Sequence, residues 1–168
     1  MAIYDGLALI VSVDATDGIY SDTCKLCNNE GSSRQCRRDL KDVHEEADLI
    51  ATLYRRFDYE LIVLKNPSKV ELEDTWRICE EKLEMSNACV SAGSGELKKA
   101  FFFAFIGHGQ QTGQSLSCVL SDRTTFPMEA KCKALSSQTP VIAFFNCTRK
   151  SIAPYESALT SNDVVLVG

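Results

Sequence analysis

The sequence predicts an α/β fold in which a mostly parallel sheet carries helices on both faces. Continuous apolar runs without polar alternation occupy residues 6–13, 101–106 and 141–145, and residues 59–65 form a further predicted strand. Such runs are typical of strands that are buried on both faces of a sheet. Segments with helical periodicity separate most of these runs, and strands that alternate with helices favour parallel pairing with the helices packed above and below.

The helical segments show one apolar face each. The first is predicted over residues 40–57, with a buried stripe formed by Leu40, Val43, Ala47, Ile50, Leu53 and Phe57. His44 lies outside this stripe beside two glutamates, and we interpret it as a solvated residue. The second helix starts at Ser68, which with Glu71 has the form of a capping box. It is expected to bury Leu72, Trp76, Cys79 and Leu83, and Pro127 introduces a third helix over residues 128–135.

Length and charge limit the class of protein. The 168 residues suit one domain, residues 1–168, with a long polar loop over residues 14–38. A net charge of −5 argues against nucleic acid as a partner, and no apolar run is long enough to span a bilayer. The N-terminal residues lack the basic and cleavage regions of a signal peptide. We therefore expect a cytoplasmic protein without a membrane partner.

The chain contains eight cysteines. In a reducing compartment they are expected to be free thiols and not disulfides. Cys24 and Cys27, with Cys36 nearby, have half the spacing of a zinc site, but the sequence offers no second pair of ligands. The alternative is a cysteine-bearing surface loop, and the role of these three residues stays open.

Two of the buried strands end in residues with potentially catalytic side chains. The run FFFAFI leads into Gly107-His108-Gly109, and VIAFF leads into Asn146-Cys147-Thr148-Arg149. Ligands of open parallel sheets bind at the carboxyl ends of the strands. If the two strands are neighbours, His108 comes close to Cys147 or Thr148, which is how a Cys–His dyad is assembled. The alternative is an idle histidine in a solvated turn after the strand.

These motifs together resemble the caspase–metacaspase superfamily of cysteine peptidases. The resemblance rests on ALIVSV, on HEEADLIATLYRRFDYELIVLKN, on FFFAFIGHGQ and on VIAFFNCTRK, and it covers residues 7–149. It implies a caspase-like three-layer sandwich and a hydrolase that cleaves protein or peptide substrates. A cysteine thiolate would attack the scissile carbonyl, His108 would protonate the leaving amine, and the backbone N–H of Gly109 would stabilise the oxyanion. No cofactor or metal is implied for the chemistry.

The cysteine motif departs from the family pattern. Aligned without a gap, Thr148 occupies the nucleophile column and Cys147 the preceding alanine column. A shift of one residue makes Cys147 the nucleophile. The column that lines the substrate pocket holds Asn146 in the gapless alignment. Arg38 lies near the pocket arginine of caspases in sequence, although it is equally consistent with a solvated residue before a helix.

Two functions follow from these motifs. The first is a caspase-like cysteine endopeptidase that uses His108 and Cys147. The second is an inactive caspase-fold homologue that acts as a regulatory or scaffolding subunit. The resemblance further implies that a small-subunit region is missing after residue 168, which leaves an open sheet edge for a second chain, a small-subunit segment or a second copy. An unrelated doubly wound binding protein would need a phosphate loop, which the sequence does not contain.

Overall fold

A computed structural model describes residues 6–14, 42–88, 90, 98–112, 115–149 and 164–167. Within these ranges the elements follow in the order β1 (Gly6–Ser12), α1 (Val43–Arg55), β2 (Glu60–Lys65), α2 (Lys69–Ala88), β3 (Ala100–Thr112), β4 (Ser115–Val119), β5 (Thr125–Phe126), α3 (Met128–Ser136), β6 (Val141–Arg149) and β7 (Val164–Val167). None of the helices in these ranges is long and apolar enough to cross a membrane.

The described strands form one mostly parallel sheet. Parallel pairing gives the order β2, β1, β3, β6 and β7. The end of β3 continues past β1 and pairs with β4 in the antiparallel sense, and β4 pairs with β5. The predicted α/β class is confirmed, and β3 and β6 are neighbours as the sequence predicted.

The apolar strands separate two packed layers. Phe101, Phe103 and Phe105 point to the side covered by α2 and α3, which we call the α2 face. Phe102, Ala104 and Ile106 point to the side covered by α1, which we call the α1 face. Both faces of β3 are therefore buried, which explains why this strand has no polar alternation.

Helix α2 buries the face that its sequence predicts. Its buried residues are Leu72, Trp76, Cys79 and Leu83. The Trp76 ring packs edge-on against Phe101 and Phe103, with both ring centroids 5.3 Å away. Trp76 is therefore a core residue and not an exposed binding platform.

Helix α1 is rotated relative to the predicted stripe. It buries Val43, Ala47 and Ala51, whereas Leu53 and Phe57 are 50% and 49% exposed. The small alanine side chains allow the helix to approach the sheet closely. The prediction that Leu53 and Phe57 belong to the buried stripe was wrong, because periodicity alone does not show which apolar residues a helix turns toward the sheet.

The Gly-His-Gly segment lies within β3 and does not form a turn after it. Strand β3 extends to Thr112 because β4 supplies an antiparallel partner, starting at the pair Gly109–Cys118. Gly107 is needed for close approach, since a Cβ there would lie 3.0 Å from the carbonyl oxygen of Val13. The alternative of a solvated turn at His108 is therefore wrong, because residues 107–112 are part of β3.

Candidate active site

The structure brings the two chemically interesting strand ends together. The parallel register pairs Gly107 with Cys147, His108 with Thr148, and Gly109 with Arg149. His108 is half-buried at this carboxyl edge. Adjacency of the Gly-His-Gly and Asn-Cys-Thr-Arg segments was predicted from the sequence, and the pairing gives it a register.

Cys147 packs toward the α2 face of the sheet. It is partly buried and contacts the apolar cluster of that face. A Cβ built on Gly109 would lie 2.9 Å from the Cβ of Cys147 and 3.2 Å from its Sγ. The absent side chain of Gly109 thus leaves the room that the Cys147 side chain occupies.

Strand alternation assigns His108 to the other face. Ile106 packs in the cluster on the α1 face, and residues two apart in a strand share a face. By this rule His108 belongs to the α1 face and Cys147 to the α2 face. The residue directly opposite His108 on β6 is Thr148. The side chains of Thr148 and Arg149 lie outside what the structure describes.

Asn146, the predicted pocket residue, contacts helix α1. Its exposed side chain donates a hydrogen bond from Nδ2 to Oε1 of Glu46 at 2.7 Å. Glu46 could not be predicted as a neighbour of Asn146, because one hundred residues separate the two in sequence. The contact sets a carboxylate beside the predicted pocket residue.

The remaining predicted residues fall outside the described ranges. This applies to Arg38 and to the cysteines of the proposed zinc motif, Cys24, Cys27 and Cys36. Among the residues that the structure does describe, no group of three or more His, Cys, Asp or Glu side chains is arranged to hold a metal ion.

Two further thiols near this edge are buried and protonated. The pKa of Cys118 is raised well above its usual value. Burial is the largest cause, and the neighbouring Cys147 and Cys132 thiols add to it. Burial, followed by Glu129, also raises the pKa of Cys132. A nucleophile must be a thiolate with access to substrate, so neither thiol is suited to catalysis.

A polar cluster at the ends of β1 and β2 was missed in the sequence. Ser12 Oγ lies 2.7 Å from His44 Nδ1, and His44 Nε2 lies 3.1 Å from Asp14 Oδ2. Asn66 donates from Nδ2 to Asp14 Oδ1 at 2.7 Å, and its side-chain oxygen accepts from the Asp14 N–H at 3.0 Å. The interpretation of His44 as a solvated helix residue was therefore wrong.

This cluster has the residue types of a Ser–His–Asp triad but not its accessibility. Ser12 is 0% exposed, so its hydroxyl cannot meet a substrate. The His44 and Asp14 side chains are 25% and 35% exposed. We interpret the cluster as a structural link that joins α1 to the ends of β1 and β2. In the sequence, only Ser12, a polar residue near the end of a buried apolar strand, indicated that such a cluster could form.

Comparison with known proteins identifies the fold class as caspase-like. No family model matches the sequence, and no curated protein does. Among solved structures, the chain is similar to the crystal structure of the Drosophila initiator caspase Dronc, with a TM-score of 0.56 and 12% sequence identity. The match covers 98% of this chain and 55% of the Dronc chain. The chain therefore has a caspase-like fold and spans about half the length of that chain.

Proposed function

We propose that this chain is a caspase-fold domain without peptidase activity that acts as a regulatory or scaffolding subunit. The observation that carries the proposal is the position of Cys147. Its side chain packs on the α2 face beside Gly109, whereas the register partner of His108 is Thr148. The register agrees with the gapless alignment, in which Thr148 occupies the nucleophile column.

The chemistry of both candidate nucleophiles supports this proposal. A threonine hydroxyl is a weak nucleophile at neutral pH and needs a strong base beside it. Cys147 has the more reactive group, but its side chain packs against the apolar cluster of the α2 face, and strand alternation places His108 on the opposite face. The contact between Cys147 and Gly109 is the feature that favours the peptidase alternative, because the Gly109 N–H is the expected oxyanion donor.

A regulatory subunit needs a binding surface, and the sheet edge supplies one candidate. Within the described ranges, β7 pairs only with β6, so its outer edge carries unpaired backbone groups. We propose that a strand of another caspase-fold chain adds to this edge. Its backbone hydrogen bonds would provide affinity, as in other β-augmentation complexes.

A peptidase assay tests the proposal. The purified protein is incubated with fluorogenic peptides that carry acidic or basic residues before the scissile bond, with an active caspase as positive control. In parallel, a thiol-directed peptide electrophile is added and adducts are located by mass spectrometry. We expect no hydrolysis and no adduct at Cys147. Hydrolysis that is lost in Cys147→Ser would overturn the proposal and establish the peptidase alternative.

A gain-of-function variant tests the register itself. Thr148→Cys places a thiol directly opposite His108 in the strand pairing. We expect the peptide electrophile to label this variant at position 148, and the double variant Cys147→Ser/Thr148→Cys to be labelled equally. Labelling that requires Cys147 would contradict the assignment of Thr148 to the nucleophile column.

A further inference from the structure

Helix α1 exposes two large apolar side chains, and a third exposed apolar residue follows just after the helix ends. Leu49, Leu53 and Phe57 are 71%, 50% and 49% exposed. The spacing of four residues places Leu49 and Leu53 in one row along α1. We call this row the α1 stripe. It is separate from the buried face of α1.

Two polar contacts show which way the stripe faces. Glu46 accepts a hydrogen bond from Asn146 on β6, and Asp48 accepts one from Lys65 on β2 at 2.8 Å. These contacts fix the two flanks of the helix. Leu53 follows Glu46 by seven residues and so lies on the β6 flank, in line with the outward-facing Leu49. The stripe therefore faces away from the sheet and toward β6, where Ile142 is 36% exposed.

Charges at the two ends of α1 make this surface self-complementary. Glu45 and Glu46 occupy the first turn, and Arg55 and the following Arg56 close the last. In an antiparallel arrangement with a copy of itself, the acidic end of each helix meets the basic end of the other. Glu46 then falls opposite Arg56, and Leu49 falls opposite Leu53. A parallel arrangement would bring like charges together.

We propose that a second copy of this chain docks on the α1 stripe through a two-fold, antiparallel pairing of the α1 helices. Two-fold interfaces are isologous, so one self-complementary surface is sufficient. The helix has 13 residues and is about 20 Å long, which makes the contact small. Interfaces of this size are weak, and we expect a dissociation constant on the order of micromolar. This pairing depends neither on catalysis nor on the β7 edge.

Sedimentation velocity tests this proposal without any ligand. Wild-type protein from about 1 μM to about 100 μM should shift from monomer to dimer, a range that brackets micromolar affinity. Leu53→Glu should stay monomeric throughout. Met85→Glu is the matched control, because Met85 is 74% exposed on α2 and lies outside the stripe. A wild-type monomer at all concentrations, a dimer that survives Leu53→Glu, or a dimer equally sensitive to Met85→Glu would each overturn the proposal.

A charge exchange tests the antiparallel geometry. Arg56→Glu should weaken dimerisation at least about tenfold, since it faces the acidic end of the partner with another carboxylate. Glu46→Arg should weaken it as well, and the double variant Glu46→Arg/Arg56→Glu should regain the wild-type affinity. Mixing the two single variants should give a heterodimer. Circular dichroism checks that each variant keeps its helices, and a double variant that folds but stays monomeric would refute the pairing.

Discussion

At the scale of single residues, the candidate site depends on the contact between a glycine and a cysteine. The missing side chain at Gly109 allows the Cys147 side chain to lie across β3. The family resemblance implies that the Gly109 N–H is an oxyanion donor, and this role remains a prediction. The contact with Cys147 gives this glycine a packing role that holds whether or not the domain is a peptidase.

Gly109→Ala should destabilise the fold. The new Cβ would lie 2.9 Å from the Cβ of Cys147, so a strand must shift to accept it. Overpacking of this kind costs about 1 to 3 kcal/mol, which urea denaturation would measure as a lower free energy of unfolding. Cys147→Gly removes the clashing atom, so the double variant should be more stable than the two single effects predict. If the stability changes of the two single variants simply add in the double variant, the contact between Gly109 and Cys147 does not cause the destabilisation.

Asp14→Ala should destabilise the fold more than removal of an exposed carboxylate. Asp14 accepts a hydrogen bond from Asn66, and its Oδ2 lies 3.1 Å from Nε2 of His44. Loss of both partly buried contacts should lower the free energy of unfolding by about 1 to 3 kcal/mol. Asp48→Ala is the control, because Asp48 pairs with Lys65 on the surface and its loss should cost less than about 1 kcal/mol. Equal effects would refute the structural role of the polar cluster.

At the scale of elements, the sequence correctly predicted the helices and strands whose buried residues follow from their own apolar pattern. Helix α2 buries the four residues that its periodicity selected, and the continuous apolar runs of β1 and β3 pack on both faces. Helix α1 and the end of β3 differ from the prediction. The buried face of α1 and the length of β3 depend on contacts with other elements of the fold. At the contact with the sheet, α1 buries Ala51 and exposes Leu53, and pairing with β4 keeps residues 109–112 extended. The polar cluster around His44 could not be predicted, since its members are distant in sequence.

Helix α2 also allows a prediction about acid stability. Although partial burial of Asp122 acts to raise its pKa, hydrogen bonds from the Lys69 N–H and from Thr124 outweigh it and lower the pKa below its usual 3.8. A depressed pKa stabilises the folded state above the unfolded value, near pH 4, and this contribution is lost as pH falls through the folded value.

Asp122→Asn should therefore reduce stability at pH 7 but have little effect near pH 2. Because Asp122 is exposed and sits at the start of α2, the difference at pH 7 should be about 0.5 to 1 kcal/mol. Urea denaturation across this pH range measures it. Asp74→Asn, on the exposed surface of the same helix, is the control and should show a smaller pH-dependent change. A loss that is identical at both pH values would contradict the role of the Asp122 charge.

At the scale of the whole molecule, one described helix covers the α1 face of the sheet and two cover the α2 face. This difference indicates which surfaces are accessible to a binding partner. Among the described residues, α2 and α3 cover one side, whereas α1 lies over β1, β2 and β3 on the other. The neighbourhood of β6 on the α1 face is where Asn146, Ile142 and the α1 stripe converge. A domain that acts by binding would use this side of the molecule, and the two interaction proposals differ in whether backbone edges or helix side chains make the contact.

The packed core makes the whole domain sensitive to alkaline pH. Burial raises the pKa of Cys79 to about 12 and raises the pKa of Cys118 and Cys132 as well. Burial, followed by the neighbouring Tyr59, raises the pKa of Tyr54 to about 12. Raised values stabilise the folded state below the unfolded pKa, near pH 9 for the thiols, and this stabilisation is lost as pH rises.

The free energy of unfolding should therefore fall steeply above about pH 9. There the unfolded chain has released protons that the three buried thiols still hold. Each such proton contributes about 1.4 kcal/mol per pH unit, so the three thiols together should contribute a slope of up to about 4 kcal/mol per pH unit. Urea denaturation in a reducing buffer at several pH values measures it. Cys132→Ala should reduce the slope by about one third, because one of the three thiols is removed. A slope that is unchanged in this variant would show that the thiols do not control the alkaline transition.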